Sequence, residues 1–290
     1  KAPVEHIMRW QSPWGEGFPG WHIECSAMAT KYLGKKFDIH GGGMDLQFPH
    51  HECEIAQSTV CNHEIPARYW MHNNMITING RKMGKSYNNV IKLTELFSGT
   101  HPLLAKAYHP MTIRFFILQT HYSSTLDFSN DALEASEKGF QRLMNAYKIL
   151  PNLLAKSNQE TDTDKEIVAL ANLCKMHMDD DFNTPKTIAS LFDLSSIVNK
   201  INDSSLTVSQ EGLNNLQAVM KSFIEDVLGL AIEAKQGNEA LDSAMGLIIE
   251  MRKSARENKD WTTSDKIRDE LSAVGIAIKD GKEGTSWSIS

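Results

Sequence analysis

Residues 37–54 constrain the fold of this chain more than any other stretch. Phe37 and Ile39 alternate with Asp38 and His40, the two-residue period of a strand. The strand runs into Gly41-Gly42-Gly43, and a helix is expected from about Pro49, carrying Glu54, Ile55 and Ala56. Strand, glycine loop, helix is the nucleotide-binding arrangement of open parallel sheets. A Gly triplet alone also suits an ordinary flexible turn. Its place between strand and helix is what points to a ligand. Asp45, just beyond it, can accept hydrogen bonds from a ribose or an ammonium group.

The same helix offers metal chemistry. His50 and Glu54 are four apart and share a helix face. Cys25 lies in an earlier amphipathic stretch, residues 21–33, that Gly34 stops. Sulfur, nitrogen and oxygen together suit zinc, which takes four ligands. The fourth position is then open to a substrate or filled by a ligand upstream of Lys1. An open position favours a thiol over its hydroxyl analogue, because zinc binds thiolate far better. An apolar pocket handles that difference poorly. Trp21, four residues before Cys25, puts an aromatic wall on the same side. Taken alone, Cys25 fits a buried core position better than a ligand's. Cys53, three residues after His50, is a rival ligand, and His51 a lesser one.

Further on, Met75, Thr77, Asn79-Gly80 and Lys82 read as a hairpin with a type I′ turn. Lys82-Met83-Gly84-Lys85-Ser86 follows. Two lysines three apart in a mobile loop can neutralise a triphosphate while its charge shifts. A solvated basic turn would look the same in isolation.

The chain has 290 residues, room for two or three domains. It is 41% hydrophobic and 23% charged, as globular proteins are, with no apolar run near the ~20 residues of a membrane span and no signal peptide in view. Its cysteines, Cys25, Cys53, Cys61 and Cys174, form no disulfide framework and fit a reducing, cytoplasmic setting. A net charge of −6 excludes a global field that draws in nucleic acid, so any such contact needs a local patch. Residues 1–20, rich in Pro and Gly, read as loop, and the absence of Met at position 1 implies an earlier natural start.

Helical text is expected from about Lys92. Leu133, Phe140, Leu143, Tyr147 and Leu150 fall on one helix face. Residues 167–230 read as several more helices, one starting at Thr184-Pro185 after Asp179-Asp180-Asp181. Residues 231–240 are a polar linker candidate. A last module follows: a helix over 244–259, a second opened by Trp261 and capped by Thr262 or Thr263, and a hairpin over 274–289 around Gly281.

Several strings together go beyond spacing. Gly20-Trp21-His22-Ile23-Glu24-Cys25-Ser26-Ala27-Met28, Phe37-Asp38-Ile39-His40-Gly41-Gly42-Gly43 and Phe48-Pro49-His50-His51-Glu52 resemble the cysteinyl-tRNA synthetases. Lys82 to Ser86 resembles the second signature loop of class I aminoacyl-tRNA synthetases, K-M-S-K-S. Asp180-Asp181-Phe182-Asn183-Thr184-Pro185 is similar to that family's helical domain. Lys259-Asp260-Trp261 and Gly284-Thr285-Ser286-Trp287 are similar to its C-terminus.

The resemblance implies ATP-dependent ligation of L-cysteine to tRNA(Cys) through cysteinyl-adenylate, with Mg2+ and one Zn2+ per chain. Cys25, His50 and Glu54 match the zinc ligands, and Trp21 and His40 the amino-acid pocket. Gly41, Gly42, Gly43, Asp45 and Lys85 match the adenylate site, and Lys82 and Lys85 the catalytic lysines. Arg256, Trp261, Asp265, Arg268 and Asp280 stand where the family reads the anticodon. The implied fold is α/β and then mostly α. Residues 1–90 would be the second part of a Rossmann-like catalytic domain, 91–125 a stem-contact connecting segment, 126–235 a DALR-like helical bundle, and 236–290 an anticodon-binding α+β module. The protein is expected to be a cytoplasmic monomer with no membrane partner.

Departures accompany the likeness. The family's fourth zinc ligand, a Cys, and its H-I-G-H signature are not in this chain, and His50-His51 is not that signature. Gly84 replaces a Ser, which removes a hydroxyl and is expected to loosen the loop. Cys53 stands where the family often has Asn. A fragment of this kind is expected to expose strand edges and apolar surface, to leave residues 1–20 poorly ordered unless a partner covers them, and to form no adenylate. Two other functions compete: a relative that ligates cysteine to an amino sugar, against which the Trp261 segment argues, and a non-catalytic tRNA-binding paralogue.

Overall fold

Helix α1 (Trp21–Leu33) stops at Gly34, whose φ of 94° lies in the left-handed region that favours glycine. In this computed structural model, which describes residues 5–230, 239–281 and 284–289, the chain forms two compact units, 1–231 and 232–290. In the first unit, strand β1 (Phe37–Gly43) pairs in parallel with β2 (Ala67–Asn73), from Phe37 opposite Ala67 to Gly43 opposite Asn73. The crossover is an irregular helical turn, Gln47–His51, continuing into α2 (Glu52–Asn62). Strand, helix and parallel strand make one βαβ unit.

The glycine triplet is not the loop expected from the sequence. Gly41, Gly42 and Gly43 are the last residues of β1, in register with Met71, His72 and Asn73, and none has a positive φ. Space explains Gly42: a Cβ there would lie 2.7 Å from His51 Cε1. Parallel sheets are ordinarily covered on both faces. Here Ile39 of β1, Tyr69 of β2 and Tyr32 of α1 are all exposed.

Strands β3 (Ile76–Ile78) and β4 (Arg81–Lys82) form the expected hairpin, with Asn79 and Gly80 at φ of 50° and 75° in its turn. A third strand, β5 (Leu126–Phe128), joins β3 in parallel and was not anticipated. Three residues are too few to show a period. The strand is fixed instead by Asp127, whose Oδ1 accepts from Thr77 Oγ1 at 2.6 Å and Gly80 N–H at 2.7 Å.

Helices α3 (Leu93–Ser98), α4 (Pro110–Leu118) and α5 (Asn130–Ile149) enclose a small core of Leu96, Tyr108, Ile113, Phe116 and Leu133. A larger core gathers Phe115 and Leu143 with residues of α6 (Asp162–Asp179), α7 (Thr184–Asn202) and α8 (Gln210–Lys221), among them Ile167, Leu194 and Leu216. The periodic face from Leu133 to Leu150 points into these cores. Helix α7 starts at Thr184-Pro185 as expected, with Asn183 accepting from Lys186 N–H.

Asp164 stitches two helix starts together. It accepts from Thr161 N–H at 2.6 Å and Thr161 Oγ1 at 2.9 Å, and from Ser209 N–H, at the start of α8, at 3.1 Å. Burial alone would raise its carboxyl, but the bonds from Thr161 and Ser209 hold it below the ordinary value. Asp164→Ala is therefore expected to cost about 1.5–3 kcal/mol in urea unfolding at neutral pH. A depressed folded pKa stabilises above the unfolded value and is lost as pH falls through the folded one. The gap between wild type and variant should close in acid, below about pH 4. A gap that stayed constant would refute the assignment.

The second unit holds α9 (Glu239–Glu257), α10 (Trp261–Ala273) and an antiparallel hairpin of β6 (Ile276–Gly281) and β7 (Gly284–Ile289). The cap of α10 is Asp260 rather than Thr262 or Thr263: it accepts from Thr263 N–H at 3.1 Å and Thr263 Oγ1 at 2.7 Å. Of the expected linker, residues 231–238 lie outside the described residues, and Glu239 and Ala240 begin α9. Among the described residues, no helix is long and apolar enough to cross a membrane.

Candidate metal centre

Three elements converge on Glu54. Helix α1 brings Trp21 and Cys25, the turn entering α2 brings His50 and His51, and β1 brings His40. The ligand atoms of Cys25, His50 and Glu54 lie within 4.8 Å of one another. Four-residue spacing sets His50 Nε2 2.8 Å from Glu54 Oε1. The Trp21 ring packs against His50 with centroids 4.4 Å apart, forming the aromatic wall.

Glu54 is 2% exposed, and its Oε1 makes no well-directed hydrogen bond although His50 is so near. A buried acceptor without a donor is costly. Two ligand atoms close together but not aimed at each other are what a shared cation requires, and the S, N, O set is one that zinc accepts. The residues present fit the ion.

The electrostatics agree. Burial pushes the Glu54 carboxyl up to about 7. Burial, and then the charges of Glu54 and Glu24, push the Cys25 thiol up. Burial and the neighbouring imidazoles lower His40, and they lower His51 to about 4. Each group resists charge in a site without an ion. A divalent cation reverses that for Cys25 and Glu54.

A second set shares the same carboxylate: ligand atoms of His40, His51 and Glu54 also lie within 4.8 Å of one another, with His40 Nε2 3.4 Å from Glu54 Oε2. His51 Nδ1 sits 2.8 Å from His72 Nε2. The Trp70 ring packs at a tilt against His40 and His51, with centroids at 4.7 and 5.1 Å. His72 and Trp70 were missed in the sequence, although their two-residue spacing puts both on one face of a strand. Cys53 belongs to neither set.

Asp45 is exposed in the turn Met44–Leu46, past the C-terminal end of β1, where open parallel sheets bind ligands. Lys82 ends β4, in the three-stranded sheet rather than in β1–β2, and Lys85 opens the turn Lys85–Tyr87 that follows; both are exposed. Trp261, Asp265 and Arg268 fall at i, i+4 and i+7 on one face of α10. Arg268 Nη1 is 3.4 Å from Asp265 Oδ1, and Trp261 is exposed. Arg256 is in the last turn of α9. Asp280 lies in β6, with its side chain outside the described residues.

Comparison with known proteins follows this order of elements. The profile described as tRNA synthetases class I (C) catalytic domain matches residues 1–138, a DALR domain matches 175–233, and a cysteinyl-tRNA ligase anticodon binding domain matches 239–287. The fold is shared with the LeuRS of Agrobacterium radiobacter, solved as a ternary complex, at TM-score 0.54 and 13% identity over 77% of this chain and 32% of that one. The profiles, with a fold that agrees, place the chain among the class I aminoacyl-tRNA synthetase families. The cysteine–tRNA ligase of Parabacteroides distasonis is 54% identical over 292 residues, 100% of this chain and 59% of the relative. That of Porphyromonas gingivalis is 53% identical over 99% of the chain and 59% of the relative. The chain belongs to the cysteinyl-tRNA synthetase family, and it spans about 59% of the length of these relatives.

Proposed function

We propose that the protein ligates L-cysteine to tRNA(Cys) with ATP and Mg2+, by way of cysteinyl-adenylate, and that Cys25, His50 and Glu54 hold a zinc ion. One observation carries the reading: a thiol, an imidazole and an otherwise unsatisfied buried carboxylate meet beside Trp21 in a chain this similar to cysteine–tRNA ligases. When bound, zinc supplies a soft Lewis acid that prefers a substrate thiolate to a hydroxyl. The negative charges of Cys25 and Glu54 balance the ion, and Trp21 and His40 close the side-chain pocket. Gly41, Gly42 and Gly43 with Asp45 present backbone and a carboxylate to the adenylate at the end of β1.

In the first step a cysteine carboxylate oxygen bonds to the α-phosphorus of ATP, and the bond to pyrophosphate breaks. Lys82 and Lys85 neutralise the charge that builds on the departing phosphates. In the second step a terminal ribose hydroxyl of tRNA attacks the acyl carbon, and AMP leaves. Trp261 stacks on an anticodon base, while Arg256, Asp265, Arg268 and Asp280 bond base edges and phosphates. The proposed division of labour is 1–90 for chemistry, 91–125 for the stem contact, 126–235 for the bundle and 236–290 for the anticodon, in a cytoplasmic monomer. The 290-residue chain by itself is proposed to form no adenylate.

The test is ATP–pyrophosphate exchange by a protein spanning the full length of these relatives. Exchange should require cysteine, and Lys85→Ala should lower it about a hundredfold. No exchange with cysteine, ATP and Mg2+ present would defeat the proposal.

A further inference from the structure

One buried side chain ties down the first half of the lysine loop. Asn89 is 8% exposed. Its Oδ1 accepts from Gly84 N–H at 2.9 Å, and its Nδ2 donates to the Lys82 carbonyl at 3.1 Å. A single planar amide thus spans Lys82-Met83-Gly84. Met83 N–H donates across to Ile76 O of β3 at 3.1 Å, and the turn that follows closes on itself, with Tyr87 N–H donating to Gly84 O at 3.0 Å and Asn88 N–H to Lys85 O at 3.1 Å. The Arg81 guanidinium covers the Tyr87 ring at 4.4 Å. Asp127 clamps the opposite, turn end of the same hairpin.

Gly84, expected to loosen the loop, adopts no backbone conformation that calls for glycine. Its φ of −172° is extended backbone open to any residue, and a Cβ would rest 3.4 Å from Tyr87 Cδ2. The segment is held through the Gly84 N–H, not through the side chain at 84. Among short side chains only an amide carries a donor and an acceptor on two separate atoms, as these two contacts require. Aspartate at 89 would keep the acceptor and lose the donor; alanine would lose both.

We propose that Asn89 is a positioning residue that sets the spacing of Lys82 and Lys85, so that both meet the triphosphate at once. It touches no substrate and acts through the lysines. The inference rests on the role proposed above for those lysines.

Two measurements test it. Hydrogen exchange on this chain reads the loop directly: Asn89→Ala should speed exchange at Gly84 about tenfold, with amides of α5 and α7 unmoved. Asn89→Asp should keep Gly84 protected. Equal Gly84 exchange in wild type and Asn89→Ala overturns the proposal. The second measurement is cysteine-dependent ATP–pyrophosphate exchange by a protein of the relatives' full length. Asn89→Ala should lower kcat about tenfold or more and leave the KM for ATP within about twofold, and Asn89→Asp should recover part of the loss. An unchanged kcat, or a rise in KM alone, also overturns it. If Asn89→Ala does not fold, Asn89→Asp carries both measurements, with a kcat between those of wild type and a Lys82→Ala reference; a wild-type kcat then refutes the role. A wild-type protein without any exchange defeats the function, and the positioning role with it, whatever the amides report.

Discussion

Cys25→Ala is expected to strip the chain of zinc. The wild-type chain should hold about one ion through Cys25, His50 and Glu54, with the remaining position filled from solvent. Partners one shell further out typically change metal affinity 10- to 100-fold, so loss of a direct ligand should exceed about a hundredfold. Elemental analysis after dialysis, with a chelating dye as competitor, reads this. Glu54→Gln should behave alike, because it keeps the shape and removes the charge that balances the ion. Cys53→Ala should retain zinc, since Cys53 lies outside the ligand set. Binding must also displace protons from the Glu54 carboxyl and the Cys25 thiol, both raised by burial, so affinity should climb with pH. Equal zinc in wild type and Cys25→Ala would remove Cys25 from the site. Loss confined to His40→Ala and His51→Ala would move the ion to the second set around Glu54.

The contrast between Cys25 and His72 shows what the sequence could reveal about this site. His50 and Glu54 were legible because a helix converts a four-residue spacing into proximity, whereas His40 was reached only through the family resemblance. Cys25 needed a chemical argument, since nothing in the spacing of α1 brings it to α2. His72 and Trp70 escaped because they arrive by pairing of β2 with β1, and register between strands is a long-range property. The Gly41–Gly43 segment misled for a related reason. Glycine reads locally as a loop, but Gly42 is small to admit the His51 ring, a requirement set by a residue nine positions away. The helices of the bundle were the easiest part, because an amphipathic period over 12 to 20 residues, as in α5 to α8, outweighs local noise. Strand β5, with three residues, had no period to show, and its anchor Asp127 carries meaning only opposite Thr77 and Gly80.

Phe115→Ala should produce the largest loss of stability among single core substitutions in α4. The helix has two buried faces that enter different cores. Ile113 and Phe116 pack with Leu96, Tyr108 and Leu133, close to the β5 residue Phe128, whereas Phe115 enters the bundle core. Phe115 is 0% exposed, with ring centroids 5.5 Å from Phe140 and 6.3 Å from Phe192, the latter edge-on at 86°. Gly139 of α5 lies against the ring, where a Cβ would make ordinary van der Waals contact with Phe115 Cε1 at 3.5 Å. Both neighbouring rings are held by long helices that resist collapse into the space left behind. Removal of the ring should therefore cost about 3–5 kcal/mol, a large share of the roughly 5–15 kcal/mol that stabilises a domain. Urea unfolding followed by circular dichroism reads it as a lower midpoint. Because α4 is the element shared by the strand-bearing half and the bundle, the transition should also broaden or split, as cooperativity between the two weakens. A midpoint within about 1 kcal/mol of wild type, with one sharp transition, would mean that the bundle closes over the cavity and that α4 does not couple the two cores.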